Sequence, residues 1–361
     1  MDRVIVFKFR EFTDVVMTIP VLYSACLGHR SHEFVLVTRE SLVDLFVNPP
    51  ANLKVIGVNL NNYRGIGGPL RLWRELRQAY NPSGVIDLDV DMATRLVTLC
   101  ARMSGVKTST VTHPHRHARQ LTRPMNKVML PLVSARARYR EAFFRAGLPV
   151  QERFEGLYGR GGRGNSSLFS AVSDARCPGD VWIGIAPFAK HRGKSYPLEL
   201  VEEVVAILGR EIADVKVFLF GGGDDECKIL AGWAQIYGFA MSPAVARMGF
   251  PAELSLLSHI DVMLTMDSAN MHLASLVGTK CVTMWGATHP YCGYKGWHQD
   301  ESLNLSLPMP CRPCSLYGDK LCHRGDYHCL TAIKPRVVAD RVKLALDDVK
   351  MKKTNFQGNQ K

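Results

Sequence analysis

The chain has 361 residues, 47% of them hydrophobic, and carries 45 Lys and Arg against 33 Asp and Glu. That length suits two domains of about 150 residues each, and that apolar content excludes wholesale disorder. No run of about 18 apolar residues is present and the start, MDRVIVFKFREFTD, is charged every few residues, so neither a membrane span nor a secretory signal is expected, and the cysteines of a cytoplasmic chain should be mostly reduced.

In chain order, Val4–Phe9 reads as a buried strand, followed by a turn and an apolar helical pattern from Val15 to Leu27 that contains Pro20. Strands are expected at Phe34–Thr38, Leu53–Val58 and Gly84–Leu88. Helices are expected at Ser41–Phe46, Leu70–Tyr80 and Ala93–Met103. Then the charge balance shifts. Residues 1–150 hold 21 basic against 11 acidic residues, and from Arg102 to Arg145 there are ten basic residues and one acid, Glu141. Such a stretch is either a solvated face or a site for an anionic partner: nucleic acid, an acidic membrane or a phosphorylated substrate. Its first part, THPHRHARQLTRP, reads as a loop, and Val133 to Ala146 as a helix.

A Gly- and Ser-rich stretch follows, and residues 156–178 are the natural linker between domains at 1–155 and 179–335. The second alternation has strands at Trp182–Ala186 and Val215–Phe220, and helices at Pro197–Leu208, Asp225–Tyr237 and Glu253–Ser258. Val262–Met266 and Cys281–Trp285 are apolar runs of strand length. Between them lies a helical pattern from Ala269, closed by Gly278 as a C-cap residue. Residues 308–330 form a cysteine-bearing loop, and 336–361 a last helix and a basic tail. Strands alternating with helices predict two doubly wound α/β domains with parallel sheets.

In such sheets ligands bind beyond the carboxyl ends of the strands. Asp267 or Ser268 can cap the helix that begins at Ala269, and its first N–H groups then face an anion. His272 sits one turn in. The acid-rich loop GGGDDE at 221–226 lacks the spacing of a dinucleotide fingerprint and suits ribose hydroxyls better than phosphates. Cys311 and Cys314 form a C-x₂-C knuckle; Cys322 and Cys329 are more widely spaced, with His323 and His328 nearby. Structural zinc, free thiols and disulfides all remain open readings of that loop.

The stretch D-S-A-N-M-H-L-A at 267–274, with W-G-A-T-H-P at 285–290, resembles the paired signatures of glycosyltransferase family 9, the ADP-heptose:lipopolysaccharide heptosyltransferases. T-D-V-V-M-T-I-P at 13–20 is similar to that family's G-D-x-x-x-T-x-P, with Thr13 in place of the glycine, and K-S-Y-P at 194–197 fits its K-x-[WY]-P. The resemblance implies a GT-B fold: two Rossmann-like domains facing across a cleft, the acceptor on the first and the nucleotide sugar on the second. It implies inverting transfer of heptose from an ADP-sugar to a phosphorylated lipid-linked core oligosaccharide in lipopolysaccharide biosynthesis, with no cofactor required for catalysis. Asp14 becomes the general base and Lys194 the stabiliser of the leaving diphosphate.

The donor residues implied are Lys190, Asp225, Glu226, Asp267, Ser268, Ala269, His272, Gly286 and Thr288. The acceptor residues expected are Thr13, which should narrow the pocket, Thr18, Arg116, Arg119 and Arg123. The enzyme would be cytoplasmic and peripheral on the inner face of a bacterial inner membrane. Two readings from other classes compete: a Rossmann-type NAD-dependent oxidoreductase, weakened by the missing G-x-G-x-x-G, and a nucleic-acid-binding protein using residues 102–145, weakened by the scarcity of aromatics among the arginines.

Overall fold

The computed structural model describes residues 2–65, 67–174, 176–241 and 249–358. The chain divides into two compact units: Met1–Pro114 with Val133–Gly159, and His115–Leu132 with Arg160–Lys361.

The first unit is built on five parallel strands, β1 (Asp2–Phe7), β2 (His32–Arg39), β3 (Leu53–Val58), β4 (Gly84–Asp87) and β5 (Lys107–Thr110), in the order β3-β2-β1-β4-β5. Its helices are α1 (Phe12–Gly28), α2 (Gly67–Tyr80), α3 (Met92–Met103) and, after an excursion into the second unit, α5 (Ala135–Arg145). α1 begins eight residues before Pro20 and runs through it. The strands are apolar on both faces because helices cover both. Ile5, Phe7, Val35, Val37 and Val85 form one buried cluster with Trp73 and Leu76 of α2 and Val97 of α3. Each such aliphatic side chain contributes about 1.5–3 kcal/mol on burial.

The second unit begins with α4 (His115–Thr122), in a segment expected to be loop. Leu121 and Leu132 of this segment are buried with Cys292, and Leu132 N donates to Tyr291 O at 2.8 Å. Apolar residues at only a few positions of a polar stretch suffice to dock it, which the overall composition hid. The sheet has six parallel strands, β6 (Val181–Ala186), β7 (Val215–Leu219), β8 (Ala240–Met241), β9 (Val262–Met266), β10 (Lys280–Met284) and β11 (Asn304–Leu305), ordered β11-β10-β9-β6-β7-β8. Its helices are α6 (Leu198–Glu211), α7 (Asp224–Ile236), α8 (Phe250–His259), α9 (Ala269–Leu276), α10 (His328–Thr331) and α11 (Pro335–Gly358).

Part of the expected linker is not free chain. Gly164 N donates to Ser258 Oγ at 2.8 Å, Ser255 Oγ donates to Asn165 O at 2.7 Å, and Phe169 is buried against Trp182. These contacts bind 164–169 to α8 and β6 within the second unit. Ala175 of that stretch, and residues 359–361 of the expected tail, lie outside the described residues.

Candidate active site

Each sheet has one switch point, where the strand order reverses and a crevice opens beyond the carboxyl ends. In the first unit it lies between β1 and β4, and in the second between β6 and β9. The chemistry-bearing residues gather at these two places.

At the first, Lys8 follows β1 and is almost fully buried. Its Nζ donates to Asp89 Oδ1 at 2.7 Å and to Leu88 O at 3.1 Å, and lies 3.6 Å from Asp14 Oδ2. Asp89 also accepts the backbone N–H groups of Phe9 and Arg10, so it pins the turn that leads into α1. Asp14 stands in the first turn of α1, whose N-cap position belongs to Glu11, so the carboxylate is not the helix cap. Its side chain keeps 28% of its surface exposed. Burial nonetheless raises its pKa above the ordinary carboxylate value, against the lowering influence of Lys8 and Arg138. Glu11 at φ 47° and Val90 at φ 57° occupy the left-handed region on either side of this crevice, strain of the kind that collects at functional sites.

Arg138 is buried and lies 2.8 Å from His113 Nδ1. Lys8, Asp89 and Arg138 were not singled out from sequence; the two charged residues in otherwise apolar surroundings, Lys8 after a strand and Asp89 after another, were the available signal. Thr13 is half-buried beside Asp14. Thr18 does not meet its expected role: it is fully buried, and its hydroxyl donates to Val15 O at 2.6 Å, as threonines inside helices commonly do.

At the second switch point Lys194 ends a 3₁₀ turn after β6, and Asp267 directly follows β9. Register sets them together: Ala186 pairs with Thr265, and Met266 with Met284, so the turns after β6, β9 and β10 emerge at one edge. Lys194 Nζ lies 3.2 Å from Asp267 Oδ2, with only 17% and 5% of the two side chains exposed. The same Oδ2 accepts from the fully buried Thr288 hydroxyl at 2.8 Å. Asp267 therefore does not cap α9. Ser268 occupies the N-cap position without a side-chain cap hydrogen bond, its hydroxyl 3.3 Å from that of Thr265. Ser268 and Ala269 are half-buried, so the positive end of α9 reaches the surface beside Lys194. His272, one turn in, is buried. Gly278, at φ 80°, closes the helix as expected.

Two further residues lock the site. A Cβ on Gly286 would lie 2.4 Å from Gly193 O, and Ala287 N donates to that same oxygen at 2.7 Å, so glycine lets the 286–288 turn rest on the Lys194 turn. Arg312, absent from the sequence-based set, is buried beneath them. Its guanidinium donates to the carbonyls of Trp285 at 2.8 Å and Thr288 at 3.0 Å, and also to that of Gly286. Nothing in the sequence distinguished it from the other arginines except its place between Cys311 and Pro313.

The remaining expected donor residues are less engaged. Lys190 is exposed. Asp225 is 97% exposed and 3.6 Å from Lys228. Glu226 accepts the Gly222 N–H at 2.8 Å, which holds the loop ahead of α7. Arg116, Arg119 and Arg123 are exposed and belong to the second unit, not to the first where the acceptor was expected.

Cys311, Cys314, Cys322 and Cys329 do converge, lining one pocket with His323, His328 and Arg312. All four are free thiols, against the disulfide reading. Burial pushes the Cys329 thiol up to about 11 and raises that of Cys314. Among the described residues no group of three His, Cys, Asp or Glu side chains is placed to hold a metal ion.

A family model described as glycosyltransferase family 9 (heptosyltransferase) matches residues 159–323. Among solved structures, a glycosyltransferase of family 9 from Veillonella parvula is similar at 18% identity and a TM-score of 0.70, covering 96% of this chain and 98% of that one. The E. coli ADP-heptose lipopolysaccharide heptosyltransferase II follows at 14% and 0.69, covering 97% and 100%. The E. coli heptosyltransferase WaaC with ADP is similar at 17% and 0.59, covering 87% and 96%. No curated protein matches the sequence. The likeness to the solved structures gives the two doubly wound units their architecture, GT-B. The matched residues 159–323 carry the Lys194–Asp267–Thr288 cluster, so this part of the chain is similar to glycosyltransferase family 9.

Proposed function

We propose that the protein transfers a heptose, with inversion, from an ADP-sugar to a phosphorylated lipid-linked oligosaccharide of the lipopolysaccharide core. The carrying observation is the Lys194–Asp267–Thr288 cluster at the uncapped end of α9. A leaving nucleoside diphosphate gathers negative charge as the glycosidic bond breaks. Lys194, held in place by Asp267, and the first N–H groups of α9 supply fixed positive charge for it without a required cofactor. Glu226 takes the ribose in this reading, and Gly286 and Thr288 close the pocket floor. Asp14 accepts the proton of the acceptor hydroxyl as that oxygen attacks the anomeric carbon. Heptose and ADP are favoured by the similar structures, which include an ADP-heptose lipopolysaccharide heptosyltransferase and a heptosyltransferase solved with ADP. Work at a lipid-borne acceptor places the enzyme at the inner face of a bacterial inner membrane as a peripheral protein; no described helix is long and apolar enough to cross it.

A thermal-shift comparison of ADP, UDP, GDP and NAD tests the donor assignment. ADP at about 100 times its dissociation constant should stabilise the protein by about 2.7 kcal/mol, with UDP, GDP and NAD well below it. Stabilisation by UDP or NAD alone contradicts the reading.

A further inference from the structure

Helix α3 has two apolar faces. Val97 and Ala101 pack into the core of the first unit, with Thr94 and Thr98 beside them. On the opposite side, about 180° away at 100° per residue, Met92, Leu96, Leu99 and Met103 form a continuous stripe at spacings of four, three and four. Their exposures are 81%, 38%, 51% and 80%. Single exposed apolar residues are ordinary; an unbroken stripe along three turns of helix is a surface that binds something. Arg95 and Arg102 are exposed along one flank of it, and Arg74 and Arg77 are exposed on α2, which packs against α3.

We propose that this α3 face seats the protein on an anionic lipid bilayer, with the methionine and leucine side chains entering the headgroup boundary and the arginines meeting lipid phosphates. This refines the reading of a membrane-borne acceptor by naming the surface that reaches the membrane. The flanking charge decides between occupants. In a symmetric dimer the stripe would meet its own copy, bringing arginines toward arginines with one exposed acid, Glu75, between α2 and α3 to offset them. An anionic bilayer complements both the stripe and its cations. Flexible methionines at both ends of the stripe suit a fluid, irregular partner.

Co-sedimentation of the full chain with vesicles tests this, using phosphatidylcholine with and without about one third phosphatidylglycerol. The wild type should partition onto the anionic vesicles at least tenfold more strongly than onto neutral ones. Leu96→Gln/Leu99→Gln should lose most of that binding. Arg95→Ser/Arg102→Ser should lose roughly fivefold for each arginine removed. All four positions are solvent-facing, and unchanged melting temperatures will show that both variants fold. Equal binding by wild type and the Leu96→Gln/Leu99→Gln variant overturns the proposal, as does absence of wild-type binding. A wild-type dimer in light scattering that the same variant converts to monomer also overturns it. No donor or acceptor sugar enters the assay, so its failure leaves the donor assignment standing, and failure of the nucleotide screen leaves this surface standing.

Discussion

At the start of α1 the Asp14 carboxylate is under opposed influences: burial raises its pKa, and Lys8 at 3.6 Å and Arg138 lower it, with burial the larger. A base with a raised pKa is protonated over more of the acid range, so kcat/KM should climb with pH through a limb above the ordinary carboxylate value of about 3.9. The stability sign follows from the same shift. The folded state binds this proton more tightly than the unfolded one, so the group's contribution falls as pH rises from the unfolded pKa through the raised one. Asp14→Asn should therefore melt no lower than wild type at neutral pH while losing transfer by about 10² to 10⁴. A lower melting temperature with wild-type turnover would leave Asp14 a structural residue. Lys194→Ala should cut kcat by about 10² to 10³. It should also destabilise by about 3–5 kcal/mol, because Asp267, with 5% of its side chain exposed, loses its cation. Intact turnover in that variant would reduce the lysine to a strut. Both residues were legible in the sequence because a strand end, a turn and a matching motif coincided there. Lys8, Asp89 and Arg312 were not, because their roles come from partners 81, 80 and 24–27 positions away.

Strand β9 and helix α9 fall within one residue of their expected bounds, since an all-apolar run followed by a 3.6-residue period and a closing glycine leaves little freedom. The short strands β5, β8 and β11 were missed. Each has two to four residues, and β5, Lys-Thr-Ser-Thr, has no apolar residue to announce it; pairing with β4 makes it a strand. Asp267, one of two candidate caps with Ser268, instead holds Lys194, a choice that only the neighbouring turn decides. That turn depends on Gly286. Gly286→Ala would force a methyl against Gly193 O and the Leu330 side chain, which lies 2.5 Å from the same Cβ, at a strain of about 1–3 kcal/mol. Calorimetric titration of this variant should show ADP affinity reduced as the Lys194 turn is pushed away. An unchanged dissociation constant would detach Gly286 from the donor site.

The two-unit α/β architecture was readable from the alternation of strand and helix periods, but the path of the chain between the units was not. Residues 115–132 carry Arg116, Arg119 and Arg123, were read as part of the first domain, and join the second through a few apolar contacts. Composition locates a basic stretch and says nothing of which core its two or three leucines enter. Replacing the three exposed arginines with serine should raise the acceptor's KM and leave ADP affinity unchanged, and added salt should imitate the triple variant because exposed charges are screened over about 8 Å at physiological ionic strength. Lost ADP affinity would place them at the donor site instead. The central claim concerns the reaction itself, and it is tested most directly by incubating the protein with ADP-heptose and a heptose-free phosphorylated lipid-linked core, and following ADP release together with acceptor mass. The account predicts one ADP per heptosyl unit added, with no product from a UDP-sugar. Transfer from the UDP-sugar alone, or no transfer from ADP-heptose by protein that binds ADP, would contradict it.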